Sequence, residues 1–291
     1  MVQLSAFKGK HMIGFCPLAS GSKGNSIYLG TGQTRLLVDA GISLKDLTER
    51  LLKIGVEVQS LDAILITHEH IDHIRGLSAL CRKWNIPVFA NRETAKAIAA
   101  VSTFMPKFKI FSTGESFQFG DVKVHPFSIQ HDAIEPVAFT FEFNQLKVGV
   151  CADLGFATTL VTHQLQNCDY LYVEANHQPS MVHASSRPMV YKQRVLSRQG
   201  HLSNEESAKL ISDVHHEKLK HIYLAHLSSE CNTPELAYKV ITEALERQNK
   251  AVKVSVCPQS EISLPTYFSD GVAILKELSC HQRQTELDTC G

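Results

Sequence analysis

The densest group of residues able to do chemistry in this 291-residue chain is the run Thr67-His68-Glu69-His70-Ile71-Asp72-His73. The run directly follows an apolar, strand-like segment. In a loop that leaves a strand, His68 and His70 can point to one side and bind one cation. Asp72 and His73 follow where the chain turns toward a helix, and they can reach a second cation beside the first. Because imidazole and carboxylate groups bind Zn, Mn and Fe, the run predicts a site for divalent metal ions.

Two ions need more ligands than this run supplies, and three later residues can provide them. His131 ends one strand-like run, Asp153 ends a second and His226 ends a third. Side chains at strand ends reach the loops that usually carry function. Singly, each of these residues fits a capping or core role as well as a ligand role. Together with the run at 67–73, they predict one metal centre.

The elements that must position these residues alternate along the first part of the chain. Short β-branched runs at 26–30, 35–39 and 63–67 predict strands, and residues 44–54 have a helical pattern. From residue 106 to 151 the helical pattern is absent and successive strands are predicted.

The second half of the chain carries two clear helix starts. A capping box beginning at Ser203 and a capping hydroxyl before a proline at 233–234 predict helices over 204–215 and 234–248. The segment 178–200 has no clean period and is rich in Ser, Pro, Arg and Lys. It predicts a surface loop with one short helix.

The composition narrows the class of protein. The 29 basic and 29 acidic residues cancel, which excludes a broadly cationic nucleic-acid coat or a polybasic membrane binder. No apolar run approaches the roughly 20 residues that a membrane-spanning helix needs, and we recognise no secretory signal. Eight scattered cysteines without a C-x-x-C pair are typical of reduced thiols. We therefore expect a cytoplasmic protein without a membrane partner. It would have a flexible N-terminus at 1–11, one domain at 12–266 and a polar tail at 267–291.

The order T-H-x-H-x-D-H, a later His, a strand-ending Asp and a final His resembles the metallo-β-lactamase superfamily, as does Val38-Asp39-Ala40-Gly41. Within it, shorter strings resemble the WalJ/YycJ-like branch. These are the segment 18–26, His131-Asp132-Ala133, Glu174-Ala175-Asn176 and the segment 200–204. The resemblance covers roughly residues 12 to 262. It implies an α/β fold, an αββα four-layer sandwich with a dinuclear centre at one edge of its two sheets.

The resemblance also implies which residues hold the two divalent ions, Zn or Mn foremost and Fe as a further candidate. Metal one would take His68, His70 and His131. Metal two would take Asp72, His73 and His226, with Asp153 bridging. Asp39 would orient the histidine loop without being a ligand.

Two such ions about 3.5–4 Å apart acidify a bridging water and stabilise the charge that builds up in an in-line displacement. That chemistry fits phosphodiester hydrolysis by a metal-activated hydroxide. In nuclease-type relatives a glutamate and a histidine form a proton relay, and Glu174 and His201 occupy the matching places here. Together with Asp72 they are the predicted catalytic residues. We expect a nucleic-acid substrate, with DNA favoured over RNA, and the resemblance implies an exonuclease.

Two segments are candidates for substrate binding. The stretch from Arg187 to Arg198 contains no acid, and its Lys192, Arg194 and Arg198 could face a phosphate backbone. Such a stretch is also typical of a merely solvated face. Ser22 and Asn25 lie in a tight turn that lacks the spacing of a nucleotide phosphate loop, and they could touch substrate at the site mouth.

Three other functions stay open at this point. A small cyclic phosphodiester as substrate would make the basic segment a lid, and a thioester hydrolase of the glyoxalase II type would need no His201. A member that binds metals without turnover would have no need for a complete dinuclear ligand set.

Overall fold

The computed structural model describes residues 11–102 and 104–268, so residues 1–10 and the predicted tail from 269 onward lie outside the described residues. The described chain forms two seven-stranded β-sheets. Their strands are β1 (Gly14–Ala19), β2 (Ser26–Gly30), β3 (Arg35–Val38), β4 (Ala63–Leu65), β5 (Val88–Ala90), β6 (Phe108–Ile110), β7 (Phe117–Phe119), β8 (Val122–Ser128), β9 (Val137–Phe143), β10 (Leu146–Cys151), β11 (Tyr170–Glu174), β12 (His221–Ala225), β13 (Lys253–Val256) and β14 (Thr266–Tyr267).

The helices of the described residues flank these sheets. They are α1 (Leu44–Lys53), α2 (Ile71–Ile74), α3 (Leu77–Trp84), α4 (Arg92–Val101), α5 (Thr159–Leu165), α6 (Pro179–Ala184), α7 (Met189–Val195), α8 (Asn204–Val214) and α9 (Pro234–Glu246). A single 3₁₀ turn covers Val58–Ser60.

The two sheets share one plan. The first has the order β14-β1-β2-β3-β4-β5-β6 and the second has the order β13-β12-β11-β10-β9-β8-β7. Strands β3 to β6 are parallel in the first sheet, as are β10 to β13 in the second, and the remaining neighbours are antiparallel. Parallel strands end at a common edge, so each sheet collects the loops that follow its parallel strands at one place.

The strand residues alternate between two apolar layers. In β3, Leu36 and Val38 pack into the core between the sheets, whereas Leu37 faces α1, α3 and α4. In β11, Tyr172 joins the same central core and Val173 packs against α5, α8 and α9. Because both faces of each sheet are covered, the strands are apolar on both sides. The architecture is the predicted αββα sandwich.

Several predicted elements are confirmed, with small shifts at their ends. The capping box at Ser203 and Glu206 begins α8 as predicted, and Thr233 caps α9 at Pro234. The predicted strand at 35–39 ends at Val38, because Asp39 adopts a left-handed backbone with φ of 59°. The strand predicted at 63–67 likewise ends early, at Leu65.

Two expectations need correction. The segment 178–200 forms two short helices instead of one, because prolines at 179 and 188 each supply a φ that suits a helix start. At the other end, Tyr267 pairs with Gly14 in β14, and Phe268 is buried against aromatic rings of the second sheet. The folded part therefore continues past the domain end predicted at 266. Among the described residues, no helix is long and apolar enough to cross a bilayer.

Candidate metal centre

The loops after parallel strands of both sheets meet at one edge, and the seven predicted ligands lie there. The first sheet supplies the run that follows β4, in which His70 caps α2 and Asp72 and His73 belong to that helix. The second sheet supplies the residues after β8, β10 and β12, which are His131, Asp153 and His226.

The ligand atoms form two neighbouring groups. Nitrogens of His68, His70 and His131 lie within 4.8 Å of one another, and so do the ligand atoms of Asp72, His73 and His226. These are the two sets expected for metal one and metal two.

Asp153 lies between the two groups. Its Oδ2 is 3.1 Å from His73 Nε2, and its Oδ1 is 3.4 Å from His226 Nε2 and 3.9 Å from His131 Nε2. Burial alone would raise the pKa of Asp153, but His226 and His73 hold it well below its usual range. An ionised carboxylate placed between the two groups suits a bridging ligand.

Each histidine of the first group has one ring nitrogen tied to an acceptor. Thr67 Oγ1 donates to Asp39 and can then accept from His68 Nδ1 at 3.0 Å. His131 Nδ1 donates to the carbonyl of Gly200 at 3.1 Å, and His70 Nε2 donates to the carbonyl of Asp132 at 3.2 Å. The other ring nitrogen of each histidine thus carries the lone pair that a cation needs.

The second group is oriented in the same way by two carboxylates. His73 Nδ1 donates to Asp39 Oδ2 at 2.8 Å, and His226 Nδ1 donates to Glu174 Oε1 at 3.0 Å. Asp39 therefore contacts both the histidine loop, through Thr67, and the candidate ligand His73. This arrangement leaves Nε2 of both histidines facing Asp72 and Asp153.

Three buried atoms of the centre make no hydrogen bond within the described structure. They are His68 Nε2, His226 Nε2 and Asp153 Oδ2. Buried polar groups are almost always paired, since an unpaired one costs about 1–3 kcal/mol. Divalent cations in the two groups would satisfy all three atoms, so the residues present fit a metal centre.

Backbone strain is concentrated at the same edge. Asp39, Asp153 and His226 have φ of 59°, 55° and 54°, in the left-handed region that residues other than glycine rarely adopt. Each follows the end of a parallel strand, and the sharp turn directs its side chain into the centre. Strain of this kind persists where the surrounding structure holds it in place, commonly at functional sites.

Glu174 is fully buried at the end of β11 and connects four groups. Its Oε1 lies 2.7 Å from His201 Nδ1 and 3.0 Å from His226 Nδ1, and its Oε2 accepts from the amides of Leu154 and Leu202. Burial would raise the pKa of Glu174, but His201 and His226 lower it to about 2. The carboxylate is therefore ionised and accepts a hydrogen bond from His201 Nδ1, which leaves His201 Nε2 for the cleft.

An open cleft of about 230 Å³ lies over the centre. It is lined by Ser22, His70, Asp72, His131, Asp153, Asn176, Tyr191, Arg194, Val195, His201, His226, Leu227 and Ser228. Of the predicted substrate-binding residues, Ser22 and Arg194 line it. Arg194 forms an ion pair with Asp132, the residue after His131.

The other three predicted substrate-binding residues lie elsewhere. Asn25 is buried below the centre, where its amide nitrogen is 3.0 Å from His73 Nε2 and 3.3 Å from Asp72 Oδ2. It cannot reach the cleft because its side chain also bonds the backbone of Gly21. Lys192 donates to the carbonyl of His183, and the Arg198 guanidinium stacks on a phenylalanine ring 4.1 Å away.

Sequence reasoning missed five cleft residues, which are Asn176, Tyr191, Val195, Leu227 and Ser228. Asn176 donates its amide to the carbonyl of His226 at 2.7 Å and so supports the strained turn. Tyr191 lies on α7, beside Arg194. Asn176 belongs to one of the sequence strings that carried the family resemblance. The one signal for Tyr191 was its position among basic residues. The buried cysteines play no part here: burial raises the pKa of the Cys151 thiol, which packs in β10.

Comparison with known proteins gives a consistent result. A family model described as the beta-lactamase superfamily domain matches residues 34–226. The exodeoxyribonuclease YycJ of Bacillus anthracis is 40% identical over 242 residues, which cover 82% of this chain and 91% of that protein. The exodeoxyribonuclease WalJ of Streptococcus pneumoniae is 38% identical and covers 81% of this chain and 90% of its own. The crystal structure of the metallo-beta-lactamase fold protein YhfI from Bacillus subtilis superposes with a TM-score of 0.66 at 16% identity, over 87% of this chain and 98% of that one.

Proposed function

The chain belongs to the metallo-β-lactamase superfamily, in its WalJ/YycJ-like branch of hydrolases, and on this premise we propose that it hydrolyses DNA from a strand end. Two divalent cations, Zn or Mn, would be held by His68, His70 and His131 and by Asp72, His73 and His226, with Asp153 shared. When bound, such cations supply the acidified water and the charge stabilisation that phosphodiester hydrolysis needs.

The observation that carries the proposal is the Glu174–His201 pair at the cleft wall. The ionised Glu174 carboxylate fixes the ring of His201 by accepting from Nδ1 at 2.7 Å. His201 then presents Nε2 to the cleft and can transfer a proton to a leaving alkoxide oxygen, which a DNA strand produces on cleavage. A thioester leaves as a thiolate, which needs no such proton donor.

Arg194 supports a phosphodiester substrate over a neutral one. Its guanidinium lines the cleft and is held there by Asp132, a neighbour of the predicted ligand His131. The pair is partly exposed, so it contributes at most about 1 kcal/mol and a phosphate can replace the carboxylate. A planar guanidinium binds phosphate oxygens with two parallel hydrogen bonds.

The size of the cleft favours a chain over a small cyclic substrate. Pockets that enclose whole small ligands usually measure about 300–1,000 Å³, and this cleft of about 230 Å³ is open to solvent. It suits one phosphodiester group of a longer strand. The names of the two similar exodeoxyribonucleases also support a nucleic-acid strand as the substrate, and they favour DNA over RNA.

The test is a cleavage assay on end-labelled single- and double-stranded DNA and RNA, with Mn, Zn or a chelator. We expect metal-dependent shortening of DNA from one end. Asp72→Asn should reduce the rate more than about 100-fold, because it removes a charged ligand of the centre. The matched control is Asp213→Asn, an exposed aspartate of α8, which should retain the wild-type rate.

Three results would contradict the proposal. Failure of the metal-loaded protein to cleave DNA would exclude the nuclease, and turnover of bis-p-nitrophenyl phosphate alone would favour a small phosphodiester. Equal rates for Asp72→Asn and wild type would exclude the assigned centre. The predicted cytoplasmic location remains a prediction, which the buried free thiols of the six described cysteines support.

A further inference from the structure

Tyr191 is an unusual member of the cleft. Among the cleft-lining residues of the described chain, it is the one phenylalanine, tyrosine or tryptophan, and most of the others are polar. It lies on α7 three residues before Arg194 and four before Val195, which also line the cleft. Residues at these spacings share one helix face, so the aromatic ring and the guanidinium point to the same side.

The ring is held in place before any substrate arrives. The Arg187 guanidinium lies 5.2 Å from the ring centroid and forms an ion pair with Glu230. Tyr191 also packs against a small apolar cluster formed by Val182, Val195 and Cys231. An immobilised ring binds a flat ligand with little further loss of side-chain entropy.

We propose that Tyr191 is the contact for the nucleobase of the nucleotide being removed, while Arg194 binds an adjoining phosphate. The inference rests on the proposed nuclease function. Tyr191 and Arg194 line the same open cleft of about 230 Å³, so a base next to a phosphodiester bound there can rest against the tyrosine ring. Every base has a π-face, and stacking on an aromatic side chain is sequence-tolerant. Stacking on Tyr191 would thus favour a nucleotide that carries a base over an abasic one, without preference among the four bases.

The experiment measures how strongly the enzyme prefers a base at the end that it attacks. Two oligonucleotides carry either thymidine or an abasic tetrahydrofuran unit as the terminal nucleotide, and kcat/KM is measured for both with the Mn-loaded protein. One stacked base corresponds to a preference of about 5- to 150-fold in wild type. Tyr191→Ala should lower the preference to less than twofold, whereas Tyr191→Phe, which keeps the ring, should retain it. Tyr238→Ala, at an exposed tyrosine of α9, is the matched control and should behave as wild type.

The outcomes separate this inference from the proposed function. A wild-type enzyme that cleaves both oligonucleotides equally well would overturn the role of Tyr191 and leave the nuclease intact. The same holds if Tyr191→Ala keeps the preference, or if Tyr191→Phe loses it as completely as Tyr191→Ala does. Absence of cleavage of either oligonucleotide would overturn the nuclease and this inference together. Anisotropy of the labelled oligonucleotides in chelator should show the same loss of preference in binding to Tyr191→Ala.

Discussion

Replacing Asp39 by asparagine should weaken metal binding without changing the shape of the site. Asp39 accepts from the Thr67 amide at 2.9 Å and from Thr67 Oγ1 at 2.8 Å, and it also lies 2.8 Å from His73 Nδ1. Asparagine has nearly the same size and tolerates the left-handed backbone that Asp39 adopts. The change therefore tests the carboxylate and not the turn.

The expected magnitude follows from these contacts. One carboxylate oxygen remains as the amide oxygen and can still accept from the Thr67 amide. The other becomes an NH₂ group that faces two donors, the Thr67 hydroxyl and His73 Nδ1. Losing a hydrogen bond to a charged group costs about 1.5–3 kcal/mol, which agrees with the 10- to 100-fold loss of metal affinity typical of such outer contacts. We expect a loss of that size for Zn and Mn.

The assay is a competition of the protein with a chromogenic chelator for Zn or Mn, accompanied by thermal unfolding. The matched control is Asp62→Asn, because Asp62 also accepts from a backbone amide and a side chain, those of Arg35. Asp62 precedes β4, at the end of the strand away from the centre. Asp62→Asn should lower the free energy of unfolding and leave the affinity for Zn and Mn unchanged. If Asp39→Asn bound metal as tightly as wild type, the orienting role inferred from the geometry would be refuted.

Four further predictions concern other parts of the molecule. Glu174→Gln should lower kcat on DNA by about 100-fold or more, because the neutral amide no longer supplies the negative charge that stabilises protonated His201; an unchanged kcat would show that the Glu174–His201 pair takes no part in the reaction. Ser203→Ala should lower the free energy of unfolding by about 1 kcal/mol through loss of the α8 cap, measured by urea unfolding. Burial and Lys253 lower the pKa of His221 to about 4, so the stability gained from a neutral ring is complete above pH 6.5 and is lost as the pH falls toward 4. His221→Gln should therefore lose about 1 kcal/mol less than wild type between pH 7.5 and 5 in urea unfolding, and equal losses would contradict this. Zn or Mn at 100 times its Kd should raise the unfolding free energy by about 2.7 kcal/mol over chelator-treated protein, and an unchanged melting temperature would argue against the centre.

The parts predictable from sequence were those set by local pattern. The run at 67–73 was predictable as a candidate metal site because its histidines and aspartate are adjacent in the chain and follow an apolar strand. The α8 start was predictable because a capping box is a contact between residues three apart. Both patterns involve residues that are close together in the chain, so they can be recognised from the sequence alone.

The parts that escaped prediction depend on contacts between distant residues. Asp132 and Arg194 are 62 positions apart, and no local pattern shows that their ion pair holds the guanidinium over the cleft. Asn25 was expected to contact substrate because its turn was placed at the mouth of the site. That turn packs against α2, where the backbone amide of Asn25 donates to the backbone carbonyl of Asp72. This packing places the Asn25 side chain below the candidate ligands instead. The second helix of segment 178–200 escapes prediction because the segment has no clean apolar period, whereas Pro179 and Pro188 each stand at the start of a helix.

The candidate ligands of the centre are divided between the two sheets, and this division has a consequence for biosynthesis. A ribosome completes residues 68–73 long before it reaches His226, and neither sheet alone presents the whole set. With the proposed ligand set, ions would bind with full affinity only after the two sheets have docked. Metal capture would then be a late event of maturation, and nascent chains that end before residue 226 should compete poorly for scarce ions in the cell.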